Sequence, residues 1–82
     1  MDLVPSERAV LNMIRALILE SQSRTHRVTT LRSRWPSMHA QAYDTGYLGL
    51  IAKRLILVSQ DKQMFSVSTV ALTLLGMQKM PA

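Results

Sequence analysis

Residues 39–57 read HAQAYDTGYLGLIAKRLIL, and this stretch decides the fold that we expect. Asp44 or Thr45 offers a side-chain oxygen that can cap the start of a helix. Beyond them, apolar side chains recur at helical spacing, at Tyr47, Leu48, Ile51 and Leu55. The pattern predicts a central helix, with residues 40–43 either as its first turn or as part of an extended turn before Asp44.

Two glycines fall inside this predicted helix. In a helix interior, Gly46 and Gly49 each cost roughly 1 kcal/mol relative to alanine, so something must compensate. Close approach of a neighbouring backbone would do so. That neighbour is either another helix or the phosphates of DNA.

The N-terminal segment predicts a first helix. Pro5 suits a first helical turn and Glu7 complements the positive end of the helix dipole. Residues 7–22 then read as one helix, whose expected core positions are Val10, Leu11, Met13, Ile14, Leu17, Ile18 and Ser21. Leu19 falls on the polar side, either as an ordinary exposed leucine or as a contact in a dimer.

A polar loop and a short helix are predicted between these two helices. Residues 21–30 form the loop, with Val28 in a strand of one or two residues. Thr29 or Thr30 can cap a short helix, TLRSRW, which faces Leu31 and Trp35 inward. Pro36 disfavours helical geometry at Trp35, so we expect the helix to stop there.

The remaining sequence predicts a hairpin and a closing segment. With Asp61 and Lys62 as turn residues, Ile56 lies opposite Val67 and Val58 opposite Phe65, which places four apolar side chains on one face. The turn has no glycine, so a longer tip is the alternative. Residues 68–80 are either a strand running into a turn or a short helix that Thr73 caps.

Three segments carry a resemblance to a known family. They are Val28-Thr29-Thr30-Leu31, the run Leu50–Val58, and Leu72-Thr73 followed by Gly76. With the order of elements, they resemble the winged helix-turn-helix superfamily of small bacterial and phage DNA-binding regulators. The resemblance implies a mainly α fold with a small β-hairpin (α+β), three helices plus a wing, as a single domain over residues 1–82. It also implies that the central helix reads DNA.

Two features depart from that family. Many members have glycine between the recognition helix and the wing, where this chain has Ile56. The expected wing tip, residues 60–63, has one base beside one acid, which does not favour insertion of the wing into a minor groove.

Composition indicates a basic protein with surplus apolar surface. The 82 residues include ten Lys and Arg against five Asp and Glu, a formal charge of +5. Such a balance favours nucleic acid or an acidic protein surface as the partner. Because 48% of residues are hydrophobic and only 18% are charged, we also expect a homodimer that buries part of this surface.

Several classes of function lack sequence support. Cysteine is absent, and His26 and His39 have no carboxylate or second histidine at metal-ligand spacing, so no metal site is expected. No nucleophile–base set or glycine-rich phosphate loop is visible, so we expect neither an enzyme nor a cofactor. The start, MDLVPSER, does not resemble a signal peptide, and the apolar run Ala16–Leu19 is too short to cross a bilayer. We therefore expect a cytoplasmic protein without membrane contact.

Basic side chains provide the clearest functional pattern. Residues 24–34 contain no acid and four arginines, Arg24, Arg27, Arg32 and Arg34. Guanidinium groups bind phosphate as bidentate forks, although such a run is also typical of a solvated surface. Lys53 and Arg54 at the end of the central helix either contact phosphates or complement its dipole, and Lys62 is the base of the wing tip.

Base recognition is assigned to the start of the central helix. The candidates there are His39, Gln41, Tyr43 and Thr45. Glutamine can bond to adenine through two hydrogen bonds, and hydroxyls accept either kind of partner. The alternatives are that these polar groups solvate a turn and that Tyr43 packs at the edge of the core.

Two functions remain open from the sequence. The first is a duplex DNA-binding protein that regulates transcription or replication by reading the major groove. The second is a protein-binding winged-helix module, such as a phage-type inhibitor or adaptor, that grips an acidic partner protein. The weakly basic wing favours the second, and the arginine run fits both.

Overall fold

The computed structural model describes residues 2–77, which fold into four α-helices and a three-stranded antiparallel sheet. The expected α+β class is therefore confirmed. The strand order is β1-β3-β2. The elements are α1 (Pro5–Ser21), β1 (Thr25–Arg27), α2 (Val28–Ser33), a 3₁₀ turn (Ser37–His39), α3 (Ala40–Ala52), β2 (Ile56–Val58), β3 (Met64–Val67) and α4 (Thr69–Leu74).

Helix α1 provides one side of the hydrophobic core. Pro5 lies at its start, and the Glu7 carboxylate accepts a hydrogen bond of 3.0 Å from the Val4 backbone N–H. The predicted apolar positions are buried except Met13, which packs against the core from a partly exposed position. The prediction for Ser21 is wrong, since its side chain is exposed and its hydroxyl donates to the Leu17 carbonyl as the helix ends.

Helix α2 begins earlier than predicted. Val28 is its first residue and the strand precedes it, so Thr29 and Thr30 lie within the helix and do not cap it. The predicted end at Trp35 is also slightly late, because the helix stops at Ser33. Leu31 is fully buried, whereas Trp35 is half-buried and its indole N–H donates to the His39 carbonyl.

Helix α3 starts at Ala40, so the prediction of a cap at Asp44 or Thr45 is wrong and residues 40–43 form the first turn. The buried side of α3 is also rotated relative to the line of apolar side chains that the sequence predicts. The buried residues of α3 are Tyr43, Gly46 and Leu50, whereas Leu48 is exposed. Leu55 is buried but lies beyond the end of the helix.

The two glycines of α3 explain this rotation. A Cβ on Gly46 would lie 2.4 Å from the Ser6 carbonyl oxygen, and one on Gly49 would lie 2.0 Å from a Glu7 carboxylate oxygen. Helix α1 is thus the close neighbour that compensates for the glycines. Since α1 lies against the glycine side, α3 turns Leu48 towards solvent.

The predicted register of the hairpin is confirmed. Ile56 pairs with Val67 and Val58 with Phe65, and β1 adds a third strand against β3. The tip is the longer alternative, residues 60–63, with Lys62 in a left-handed conformation at φ 63°. The Asp61 carboxylate stabilises it by accepting from the Ser59 hydroxyl at 2.6 Å and the Gln63 backbone N–H at 3.0 Å.

The closing segment is helical, but its predicted cap is wrong. The Ser68 side chain accepts from the Ala71 backbone N–H, so α4 begins before Thr73. Gly76 ends the segment in a left-handed conformation at φ 73°, which suits glycine. Residues 78–80 of the predicted segment lie outside the described residues. Within residues 2–77, no helix is both long and apolar enough to span a bilayer.

Candidate nucleic-acid interface

One stripe of α3 faces solvent along the whole helix. Its residues are Gln41, Thr45, Leu48 and Ala52, all exposed. They follow one another at intervals of three or four residues, so they lie in one line on the helix surface. The opposite side carries Tyr43 and Leu50, which are buried in the core. We call these four residues the outward stripe.

An arginine from α2 flanks the N-terminal half of the outward stripe. An Arg32 guanidinium nitrogen lies 3.3 Å from an Asp44 carboxylate oxygen, and the guanidinium carbon lies 4.8 Å from the centre of the Tyr43 ring. The side chains of Arg32 and Asp44 are 46% and 64% exposed. Exposed ion pairs of this kind contribute little stability, so phosphate can replace Asp44 as the partner at small cost.

Tyr43 is a packing residue in this arrangement. Its side chain is only 4% exposed, and its ring lies between those of Trp35 and Tyr47. Burial raises the pKa of the Tyr43 hydroxyl to about 12. No hydrogen-bond partner for this hydroxyl is found within residues 2–77. The ring therefore supports Arg32 and α3 from below and presents no face to a base.

Further along the same side of α3, a cleft separates the helix from the β2–β3 hairpin. Its volume is about 560 Å³, and it is lined by Val28, Tyr47, Leu48, Ile51, Val58, Ser59, Gln60 and Lys62. Most of these side chains are apolar, while Lys62 stands at the hairpin tip. Leu48 belongs to both the cleft and the outward stripe. Lys62 thus flanks the stripe from the same side as Arg32, further along the helix.

Two of the predicted phosphate contacts have partners within the protein. Arg24 donates from Nε and Nη2 to the Val67 carbonyl, at 3.0 and 2.8 Å, and so ties the start of β1 to the end of β3. Arg34 forms a two-point ion pair with Glu20 of α1, which lowers the pKa of that carboxyl group. The residues of the arginine run therefore point in different directions and do not form one patch.

Lys53 is held in a similar way. Its ammonium group donates to the Glu7 carboxylate and to the Asp2 carbonyl, so it joins the end of α3 to the start of α1. Glu7 is only 5% exposed. The hydrogen bond from Lys53 is the main cause that lowers the pKa of Glu7, followed by the one from the Val4 backbone N–H.

Three predicted cations have no ion pair or side-chain hydrogen bond within residues 2–77, namely Arg27, Arg54 and Lys62. All three are exposed. Arg27 ends β1, and Arg54 follows α3 in a left-handed conformation at φ 59°. This conformation costs a non-glycine residue roughly 1 kcal/mol or more. Between α3 and the hairpin, Arg54 is therefore the residue in the conformation that favours glycine. Ile56, where the sequence lacks the glycine of many family members, is the first residue of β2.

The remaining candidates lie at the start of α3. His39 ends the 3₁₀ turn and is exposed, and Gln41 and Thr45 belong to the outward stripe. His26 instead bonds within the loop after α1, where its Nε2 donates to the Ser23 carbonyl at 2.8 Å. No cluster of three metal-ligating side chains occurs within residues 2–77.

Two residues of the stripe were not predicted as site residues, Leu48 and Ala52. The apolar spacing of the sequence assigns Leu48 to the core. The glycines are the signal that identifies its true position, because Gly46 and Gly49 mark the side of α3 that packs closely on another helix. Comparison with known proteins finds no match, whether among family profiles, curated proteins or solved structures.

Proposed function

We propose that this protein binds duplex DNA as a winged helix-turn-helix regulator of transcription or replication, of the bacterial or phage kind. In this proposal α3 is the recognition helix and the β2–β3 hairpin is the wing. The order of α2, α3 and hairpin supports it, as does the three-stranded sheet that carries the hairpin. Fold alone does not establish function, so the proposal of DNA binding also needs support from the surface of α3.

The observation that carries the proposal is the open outward stripe. Two sides of α3 are packed, one on α1 through Gly46 and Gly49 and one on the core through Leu50. The stripe stays uncovered over the full length of the helix. A helix supported from behind and open in front can enter a major groove about 12 Å wide.

Charge supports the same orientation. Arg32 and Lys62 both flank the outward stripe, and Arg27 and Arg54 have no ion pair within residues 2–77. Phosphate contacts of this kind position a protein on DNA, whereas the stripe supplies the base contacts.

The test is a titration of duplex DNA across a salt series. Log affinity should fall linearly with log salt concentration, because bound cations release counterions from the phosphates. Replacing Arg27, Arg54 or Lys62 singly by alanine should lower the magnitude of the slope by about 1 each. Fluorescence anisotropy with labelled duplex provides the affinities.

The matched control is Arg8→Ala. Arg8 is exposed on α1 and belongs to none of the elements that flank the outward stripe. Its removal lowers the net charge equally but should leave the slope unchanged. Absence of duplex binding by the wild-type protein at low salt would end the proposal, and equal effects of all four substitutions would show that net charge alone binds DNA.

A specific observation favours a second candidate, a module that binds an acidic protein. The cleft beside α3 is mostly apolar and has Lys62 at its rim, which suits an apolar side chain flanked by acids. A pull-down from a nuclease-treated host lysate separates the two candidates. Capture of one stoichiometric protein from the treated lysate, and its loss with Ile51→Asp, would support the module. Proteins captured only from untreated lysate would support DNA binding.

We further propose a homodimer, which would double the contact with DNA. Exposed apolar side chains away from α3 support it, Leu19 on α1 and the pair Val70 and Leu74 on α4. Val70 and Leu74 are four residues apart and so share one side of that helix. Sedimentation analysis of the free protein measures its mass directly, and a monomer at micromolar concentration would contradict this part.

A further inference from the structure

The outward stripe carries side chains suited to A·T pairs. Gln41 can bond to adenine through two hydrogen bonds, and Leu48 and Ala52 offer apolar surface of the kind that contacts the C5-methyl group of thymine. The stripe contains no arginine or lysine, which are the usual partners of guanine. Its N-terminal half is therefore polar and its C-terminal half apolar.

Leu48 is the most distinctive member of the stripe. Its side chain is 63% exposed, although leucine is usually buried. It lies two helical turns beyond Gln41, a distance of about 10 Å along the axis. That distance corresponds to about three base-pair steps, so both residues can reach the same short site.

Three charged side chains near the stripe already have a partner within the protein. Lys53 is bound to Glu7, and Arg32 lies over Tyr43 and beside Asp44. Asp44, whose carboxylate could accept from the amino group of cytosine, lies beside Arg32 and outside the outward stripe. Gln41, Leu48 and Ala52 are left as the side chains that discriminate between bases.

We propose that α3 selects A·T-rich duplex DNA by contacting the C5-methyl groups of thymine with Leu48 and Ala52, while Gln41 bonds to adenine. This inference rests on the proposed DNA-binding function and assigns the class of DNA that the same surface takes. Leu48 is its main determinant, since a leucine covers more methyl surface than the alanine one turn further on.

The experiment compares two pools of A·T-rich random duplexes that differ by a single kind of group. One pool contains thymine, and the other contains uracil, which lacks only the C5-methyl group. The wild-type protein should bind the uracil pool more weakly, by about fourfold for each methyl group that it buries. Leu48→Ala should lose most of this difference.

Val4→Ala is the matched control, because Val4 is also a half-exposed apolar residue but lies at the N-terminal end of α1, in none of the proposed contacts. It should keep the full preference for thymine. A third pool, rich in G·C pairs and carrying 5-methylcytosine, restores methyl groups to the major groove. Methylation should raise the affinity of this pool for the wild-type protein but not for Leu48→Ala.

The possible results distinguish a failure of methyl recognition from a failure of the proposed DNA-binding function. If the wild-type protein binds neither pool, the proposed function fails. If it binds both pools equally, DNA binding stands and methyl recognition is overturned. A preference for thymine that Leu48→Ala retains in full would also overturn the inference, since DNA shape would then be its source.

Discussion

Gly46→Ala is expected to destabilise the protein by about 3 kcal/mol, because the new methyl group has no space. Its Cβ would lie 2.4 Å from the Ser6 carbonyl oxygen and 2.7 Å from the Ser6 carbonyl carbon. Both are backbone atoms in the first turn of α1, so the two helices must move apart. For a domain of this size we expect a loss of roughly 15 °C in Tm, measured by thermal denaturation followed by circular dichroism.

Ala42→Gly provides the control for helix propensity. Ala42 is exposed on the same helix, and its replacement should cost about 1 kcal/mol through propensity alone. Propensity predicts the opposite sign for Gly46→Ala, since alanine is the better helix former. A Gly46→Ala protein at least as stable as Ala42→Gly would contradict the close contact between α1 and α3.

Lys53→Met is expected to destabilise the protein by about 2 kcal/mol at neutral pH. It leaves the Glu7 carboxylate, which is only 5% exposed, without its cationic partner. The loss is below that of a fully buried pair because the Lys53 side chain remains 31% exposed. Arg34→Met, which breaks the exposed pair with Glu20, is the control and should change Tm little.

The same variant predicts a dependence on pH. The folded pKa of Glu7 lies below its ordinary value of 4.5, chiefly because of the hydrogen bond from Lys53. The stabilisation that the pair provides is therefore present above pH 4.5 and is lost as the pH falls through the folded pKa. The difference in Tm between wild type and Lys53→Met should be large at pH 7 and should shrink below pH 4. A difference that is constant over this range would contradict the role of the ion pair.

Local patterns predict much of this fold. The hairpin register follows from the alternation of Ile56, Val58, Phe65 and Val67 together with the turn at Asp61 and Lys62, because a shift by one residue would turn the apolar side chains of one strand away from the core. The core positions of α1 follow from the helical spacing of its apolar residues. The longer hairpin tip is consistent with the lack of glycine at Asp61 and Lys62, since a two-residue turn would require positive φ at both.

The orientation of α3 could not be predicted in this way. Its apolar residues surround much of the helix, so periodicity alone does not select between Leu48 and Leu50 as the buried side chain. The choice depends on α1, which packs on Gly46 and Gly49 and thereby fixes the rotation. This contact joins residues forty positions apart, and nothing in the local sequence specifies its partner.

In the candidate site, too, the local sequence predicts some features and long-range contacts determine the rest. Composition identifies the basic residues but not their partners, and these partners lie far away in the sequence. Arg24 bonds to the Val67 carbonyl, and Arg34 pairs with Glu20. The cations left over, Arg27, Arg54 and Lys62, could be distinguished from the others only once the chain was folded.

The most direct test of the central claim is a titration of the isotope-labelled protein with duplex DNA, followed by amide chemical shifts. If α3 enters the major groove, the largest shift changes should fall on Gln41, Thr45, Leu48 and Ala52. Leu19 on α1 should change little. Changes concentrated on α1 or α4 with an unperturbed outward stripe, or no changes at low salt, would contradict the account.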